Sequence, residues 1–364
     1  MVRRFLIIVL TAVMAFSCKE PIEKFHIRRG VNIAHWLSQS DARGERRASF
    51  FVEEDVRRIA EWGFDHVRIP IDEEQMFAQD GSKDPEAFAL LHSALDLCAK
   101  YDLRAIVDLH ILRSHYFNAA VKPLFTERAA QEAFYECWRQ ISEELKDYPT
   151  DMVAYELMNE PVADDPADWN KIVAECHSVI RGLEKKRIIV IGSNRWQNFS
   201  TASQLELPEG DPNIILSFHY YEPMLLTHYQ ASWMDLKDYN GPVHYPGPVV
   251  TAGEMEEYSE TDRRLAAQWT DKTYDTARFA KEFGEVLEVA KNHGVPVYCG
   301  EYGCLSVKSN EEARYDWLSD INKMFDSLGI ARSVWAYREG VGGFGILSGT
   351  SAEPDARMLE CLTR

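Results

Sequence analysis

The chain has 364 residues and carries 40 Lys and Arg against 58 Asp and Glu, a formal net charge of −18. That balance repels phosphate backbones and anionic lipid, so nucleic acid and membrane surfaces are excluded as ligands of the folded part. Ordinary apolar and charged fractions exclude a disordered or fibrous chain, and 9 Trp, 16 Tyr and 17 Phe are enough for both a core and a cleft that stacks on ring faces.

The chain opens with a processing signal. Arg3 and Arg4 precede an apolar run over 5–16, too short to span a bilayer, and Ser17 and Cys18 follow it. This resembles the lipobox of bacterial lipoproteins. It implies removal of residues 1–17, a diacylated Cys18 as the new N-terminus, and a place on the cell envelope. Losing Arg3 and Arg4 takes the net charge from −18 to −20. Residues 18–27 then read as a tether and 28–364 as one domain.

Within that domain, short β-rich runs alternate with amphipathic stretches. A strand at 31–33 leads to a helix at 53–62 with Val56 and Ile59 on one face. Strand 66–69 leads to helix 85–100, with Phe88, Leu91, Leu95 and Cys98. Strand 105–110 leads to helix 129–146, with Phe134, Trp138, Ile141 and Leu145. Strand 153–157 leads to helix 167–184, with Trp169, Val173, Cys176, Ile180 and Leu183. Strand 187–191 is followed by a short or irregular helix near 201–206. Strand 214–219 is followed by a long loop, 222–272, and by helix 275–293. Strand 297–299 leads to helix 310–328, and strand 333–336 to a short last helix near 354–362. Several of the strands are continuously apolar, as strands buried on both faces are.

Such alternation predicts a parallel sheet with right-handed crossovers. Eight strands suit a closed (β/α)8 barrel; an open doubly wound sheet fits the alternation too, but no glycine-rich phosphate fingerprint follows the first strand. Loop 222–272 holds Trp233, Tyr239, Tyr245 and Trp269, and loops of that length in compact domains tend to be functional. Six cysteines follow Cys18: Cys98, Cys137, Cys176, Cys299, Cys304 and Cys361. Their spacings match no zinc or redox pattern, and the first three fall on apolar helix faces.

In a barrel, chemistry sits at the C-terminal ends of the strands. The polar and aromatic residues that close the apolar runs are Arg68, His110, Asn159 with Glu160, His219 with Tyr221, Glu301, and Trp335. Trp36 and Trp196 stand just past strands one and five, where ring stacking and ordinary packing are equally open. His110 and His115 lie five apart, but no carboxylate cluster completes a metal site. Glu156, inside strand four, reads as paired within the barrel wall, and Glu73 and Glu74 as solvated loop charges. Glu160 and Glu301 end strands four and seven, which face each other across an eight-stranded barrel. Two converging carboxyl groups are what hydrolysis of a glycosidic bond requires: one protonated to donate to the leaving oxygen, one ionised to attack.

The runs Gly-Val-Asn-Ile-Ala-His-Trp, His-Val-Arg-Ile-Pro, Val-Asp-Leu-His, Met-Asn-Glu-Pro, Phe-His-Tyr-Tyr and Gly-Glu-Tyr-Gly, in this order, resemble glycoside hydrolase family 5, the family of many cellulases and mannanases. The resemblance covers essentially the whole chain after the signal. It implies Glu160 as acid/base and Glu301 as nucleophile of a retaining double displacement. It also implies that Arg68 and Tyr221 bond the nucleophile, that His110 contacts the sugar, that Asn159 holds the sugar 2-hydroxyl, that His219 and Tyr221 are the family's sixth-strand pair, and that Trp335 is a stacking platform. No metal or organic cofactor is implied. The expected activity is that of an endo-β-1,4-glucanase on β-glucan, as a monomer whose only membrane contact is the anchor. A β-mannanase, a xyloglucanase and an exo-β-glucosidase are alternatives within the family, and a non-catalytic glycan-binding lipoprotein is an alternative outside it.

Overall fold

Eight short strands place the chemistry-bearing residues of this chain on one rim. The structure is a computed structural model that describes residues 25–306 and 311–364; the signal at 1–17, Cys18 and the tether before residue 25 lie outside the described residues. Strands β1 (Arg29–Asn32), β2 (His66–Asp72), β3 (Arg104–Ile111), β4 (Val153–Glu156), β5 (Ile188–Gly192), β6 (Ile214–Tyr220), β7 (Val297–Tyr302) and β8 (Ala331–Val334) pair in parallel, and β1 also pairs with β8. The sheet is therefore a closed barrel rather than an open one. The residues of β2, β6 and β7 are buried throughout, their polar members Arg68, His219 and Glu301 included.

Helices α1 (Glu53–Glu61), α2 (Pro85–Lys100), α3 (Arg128–Leu145), α4 (Pro166–Leu183), α5 (Thr276–His293), α6 (Glu311–Leu328) and α7 (Ala356–Thr363) surround the barrel. Their starts are chemically marked. Asp84 and Asp165 cap α2 and α4 by accepting the N–H groups of Ala87 and Ala167, and Pro85 and Pro166 follow at the first helical position. Asp275 and Asp355 cap α5 and α7 in the same way. Each such cap stabilises its helix by about 1 kcal/mol. Between β5 and β6 the expected fifth helix is a single 3₁₀ stretch, Phe199–Gln204. Cys98, Cys137 and Cys176 face the core, and all six cysteines among the described residues are free.

The long insertion after β6 is folded. It carries short helices at Met224–Thr227, Ala252–Met255 and Glu260–Ala266, and a two-residue ladder, Gly247–Pro248, that pairs with Thr273–Tyr274. Tyr239 is fully buried with its hydroxyl donated to the Pro242 carbonyl (2.6 Å), and Tyr245 stacks on Phe279 of α5 at 5.9 Å. Of the four aromatics singled out in this insertion, Trp233 alone is exposed, at 54 %. The rest are buried and pack with the insertion's aliphatic residues into the core. At the opposite end of the barrel, Phe25 is buried among Ile106, Ala154, Ile188, Val190, Ile215 and Tyr298.

Candidate active site

Arg68, fully buried on β2, organises the rim. Its Nε donates to Glu156 Oε2 (2.7 Å) and its Nη1 to Glu301 Oε1 (2.7 Å) and Asn32 Oδ1 (3.0 Å). Nη2 donates to Asn159 Oδ1 (2.9 Å) and Glu156 Oε1 (3.2 Å) and lies 3.0 Å from Asp108 Oδ2. Burial opposes the guanidinium charge, but Asp108, Glu156 and Glu301 outweigh it, so Arg68 stays a cation with its pKa raised well above the ordinary arginine value.

Glu301 closes β7 and is 5 % exposed. Its Oε2 accepts the Tyr221 hydroxyl at 3.1 Å and lies 3.7 Å from His219 Nδ1. A register shift between Phe218 and His219 sets His219 level with Glu301 across the β6–β7 pair. Glu160 Oε1 lies 3.1 Å from the same His219 Nδ1. One carboxyl oxygen each of Glu160 and Glu301 and one ring nitrogen of His219 lie within 4.8 Å of one another. Carboxyl groups roughly 5–5.5 Å apart suit direct attack by one of them, whereas about 6.5–9.5 Å leaves room for an intervening water. The closeness of this pair fits the first geometry.

The two carboxyl groups are electrostatically unequal. Burial raises the pKa of both. Arg68 opposes the rise at Glu301 by charge and hydrogen bond, whereas the Glu301 charge lifts Glu160 further, well above the ordinary range. Glu301 therefore loses its proton first, and Glu160 keeps one. Burial, helped by the positive field of Arg68, holds His219 well below its usual value and hence neutral. Asp108 is pushed up to about 7 by burial, against Arg68, and its Oδ2 accepts from His110 Nδ1 at 2.7 Å. Burial holds His110 down at about 4. The His110 ring stacks on Trp335 at 5.6 Å and 14°.

Glu160 itself lies in left-handed backbone, φ +46°. That turn takes its peptide groups out of the sheet ladder. His115 Nε2 donates to the Glu160 carbonyl (3.0 Å), and the Glu160 N–H donates to Gln197 Oε1 (3.1 Å). His115 is thus a backbone support, turned to a different partner from His110.

An open pocket of about 390 Å³ lies beside Glu160, with Phe117, Trp196, Tyr221, His228 and Trp233 among its walls. Trp196 is 44 % exposed there. Trp36 does not join it. It is 1 % exposed, packs on Phe51 at 5.3 Å and donates its indole N–H to the Arg47 carbonyl at 2.9 Å. It is a core residue and presents no face to a ligand, so of the two roles left open for it packing is the one it has, and its placing among the substrate-binding residues is corrected. Glu73 is not a solvated charge either: it accepts the Arg113 backbone N–H (2.8 Å) and guanidinium (2.6 Å).

Several residues escaped the sequence reading. Asn32 and Asp108 bond Arg68 and His110 from inside the barrel, and an inward polar residue on an apolar strand was the available signal. Gln39 Nε2 lies 3.2 Å from His110 Nε2, and Gln197 lies in a loop with no local mark.

Residues 42–340 match the family model for cellulase, glycosyl hydrolase family 5. The chain is 32 % identical over 342 residues to cellodextrinase A of Ruminococcus flavefaciens, covering 93 % of this chain and 94 % of the relative. It is 28 % identical over 319 residues to endoglucanase C of Acetivibrio thermocellus, covering 86 % and 91 %. Among solved structures, Cel5A of Thermotoga maritima in complexes described with mannotriose and with cellobiose is 25 % identical, with a TM-score of 0.75 over 94 % of this chain and 100 % of that one. With its closed barrel and its rim of paired carboxyl groups, the chain belongs to the cellulases of glycosyl hydrolase family 5.

Proposed function

We propose that the protein is a retaining endo-β-1,4-glucanase with Glu301 as nucleophile and Glu160 as general acid/base. The observation that carries the roles is the inequality of the pair: of the two, Glu301 is the one bonded by Arg68, and its charge in turn raises Glu160. Glu301 attacks the anomeric carbon, and the bond to the leaving oxygen breaks as that oxygen takes the Glu160 proton. The product of this half is a glycosyl ester of Glu301. Glu160, now the base, takes a proton from water as the water attacks the same carbon and frees Glu301. Esterification removes the Glu301 charge, so the Glu160 pKa falls when a base is needed. Asn159, Arg68, His110 and Trp335 orient the sugar and the nucleophile.

The substrate class rests on the relatives, one a cellodextrinase and another an endoglucanase. Reducing-sugar release from β-1,4-glucan, mannan, xyloglucan and defined cellodextrins tests it. We expect the glucan and its longer oligomers to be cut internally; release confined to mannan would replace the proposed substrate. The enzyme is further proposed to act as a monomer, with residues 1–17 removed, held on the cell envelope by a lipid on Cys18. The processing and the anchor rest on the N-terminal sequence.

A further inference from the structure

The segment after β5 runs through three consecutive left-handed residues: Arg195 (φ 54°), Trp196 (φ 60°) and Gln197 (φ 52°). None is Gly, Asn or Asp, the types that visit this region at low cost. Such a turn persists only where its surroundings over-determine it. Here they do, because the turn is zipped onto the stretch that carries Glu160. Asn194 accepts the Ala163 N–H (2.8 Å) and donates to the Ala163 carbonyl (3.0 Å), and the Trp196 N–H donates to the Pro161 carbonyl (3.3 Å). Gln197, fully buried, completes the row. Its Oε1 accepts the Glu160 N–H (3.1 Å), and its Nε2 donates to Glu156 Oε1 (3.1 Å). Glu156 in turn is bonded by Arg68, which bonds Glu301. The left-handed path also sends Trp196 outward into the pocket while Gln197 goes under Glu160.

We propose that Gln197 is a positioning residue that fixes the peptide of Glu160 and, through Glu156 and Arg68, ties it to Glu301, so that acid/base and nucleophile share one hydrogen-bonded frame. The inference rests on the proposed role of Glu160. An amide suits this place without a change of protonation: one end accepts from a backbone N–H while the other donates to a carboxylate, whereas an ionised carboxyl cannot donate and an apolar side chain does neither. Gly192, the last residue of β5, makes the room. A Cβ there would meet Gln197 Nε2 at 1.9 Å.

The test compares Gln197→Met, of similar length but without either bond, with the wild type on two substrates. A cellodextrin needs protonation of its leaving oxygen; a dinitrophenyl glycoside has a leaving group that departs unaided. If Gln197 positions the acid, kcat/KM on the cellodextrin falls by roughly ten- to a hundred-fold, part of the usual worth of general acid catalysis, with a much smaller fall on the dinitrophenyl substrate. The alkaline limb of the cellodextrin profile moves to lower pH as the released Glu160 reaches solvent. Equal losses on both substrates with an unmoved limb overturn the proposal. Gly192→Ala, which touches neither carboxyl group, should reproduce the same selective loss by displacing Gln197. The displacement should disappear in a Gln197→Ala background, where the clash is gone; additive losses in that double variant also overturn it. Should Gln197→Met not fold, the Gly192 pair carries the test. Glu160→Ala run alongside keeps the two readings apart: if that variant shows no leaving-group dependence, the role of Glu160 fails, whatever Gln197 does.

Discussion

The Tyr221 hydroxyl and the Arg68 guanidinium hold different oxygens of one carboxylate, Oε2 and Oε1 of Glu301. The arrangement fixes the carboxylate plane and favours its charge. Tyr221→Phe removes one donor and leaves the packing. A hydrogen bond to a charged group contributes about 1.5–3 kcal/mol, so kcat/KM should fall by about ten- to a hundred-fold. A lost donor raises the Glu301 pKa, so the acid limb of the profile should move to higher pH. An unmoved limb in a pH–rate series would show that the bond does not act on the nucleophile.

For the two displacement steps, Glu301 should be labelled by a 2-deoxy-2-fluoro glycosyl fluoride, detectable by peptide mass. Glu160→Ala should lose far more activity on a polysaccharide than on a dinitrophenyl glycoside, and azide should restore it. The product should be the β-azide, the result of two inversions; an α-azide means a single displacement and removes Glu301 from its role.

Stability should respond in the opposite direction to activity. Glu160 and Glu301 bind protons more tightly in the fold than in the unfolded chain. Folding stability is therefore given up as pH rises from the ordinary carboxylate range through their raised values. Glu160→Gln should raise the melting midpoint at pH 7 by about 2 °C, with the gain shrinking toward pH 4, where the wild-type group is protonated too. Calorimetry at both pH values checks this; a gain that is equal at both contradicts the electrostatic origin.

The two tryptophans first grouped together should separate cleanly. Trp36→Ala empties a packed core site and should cost about 3–5 kcal/mol of stability. Trp196→Ala, at a half-exposed ring, should leave the melting midpoint nearly where it was and raise KM on longer oligosaccharides. Denaturant unfolding and chain-length kinetics together decide it.

What the sequence made legible follows from what strands and helices demand locally. Apolar runs that stop at Arg68, His110, Glu160, His219 and Glu301 announce a buried parallel sheet with polar ends, and Asp-Pro pairs announce α2 and α4. Closure was legible only from the count of eight strands, because the pairing of β1 with β8 joins residues 29–31 to 332–334 and leaves no local trace. Trp36 was ambiguous because one residue past a strand end a side chain can turn either way. The turn at Arg195–Gln197 was hidden for a sharper reason: its sequence lacks every residue type that marks left-handed backbone, and only tertiary bonds to Glu160, Pro161 and Ala163 hold it.

Cell fractionation tests the proposed anchor. The wild type should sediment with membranes, and Cys18→Ala should appear in the soluble fraction; a soluble wild type removes the lipid from the account.

Phe25 plugs the barrel at the pole where the strands begin, and the rim of carboxyl groups stands at the other pole. Residue 25, the first of the described residues, thus sits at the pole opposite the cleft. A protein held there by its N-terminus turns its catalytic mouth outward, away from the bilayer. Only six residues lie between Cys18 and Phe25, and the seven chain steps reach about 25 Å when fully extended. Under the proposed lipid on Cys18, a tether of that reach favours the orientation in which a polymer chain arriving from the medium meets the open cleft first.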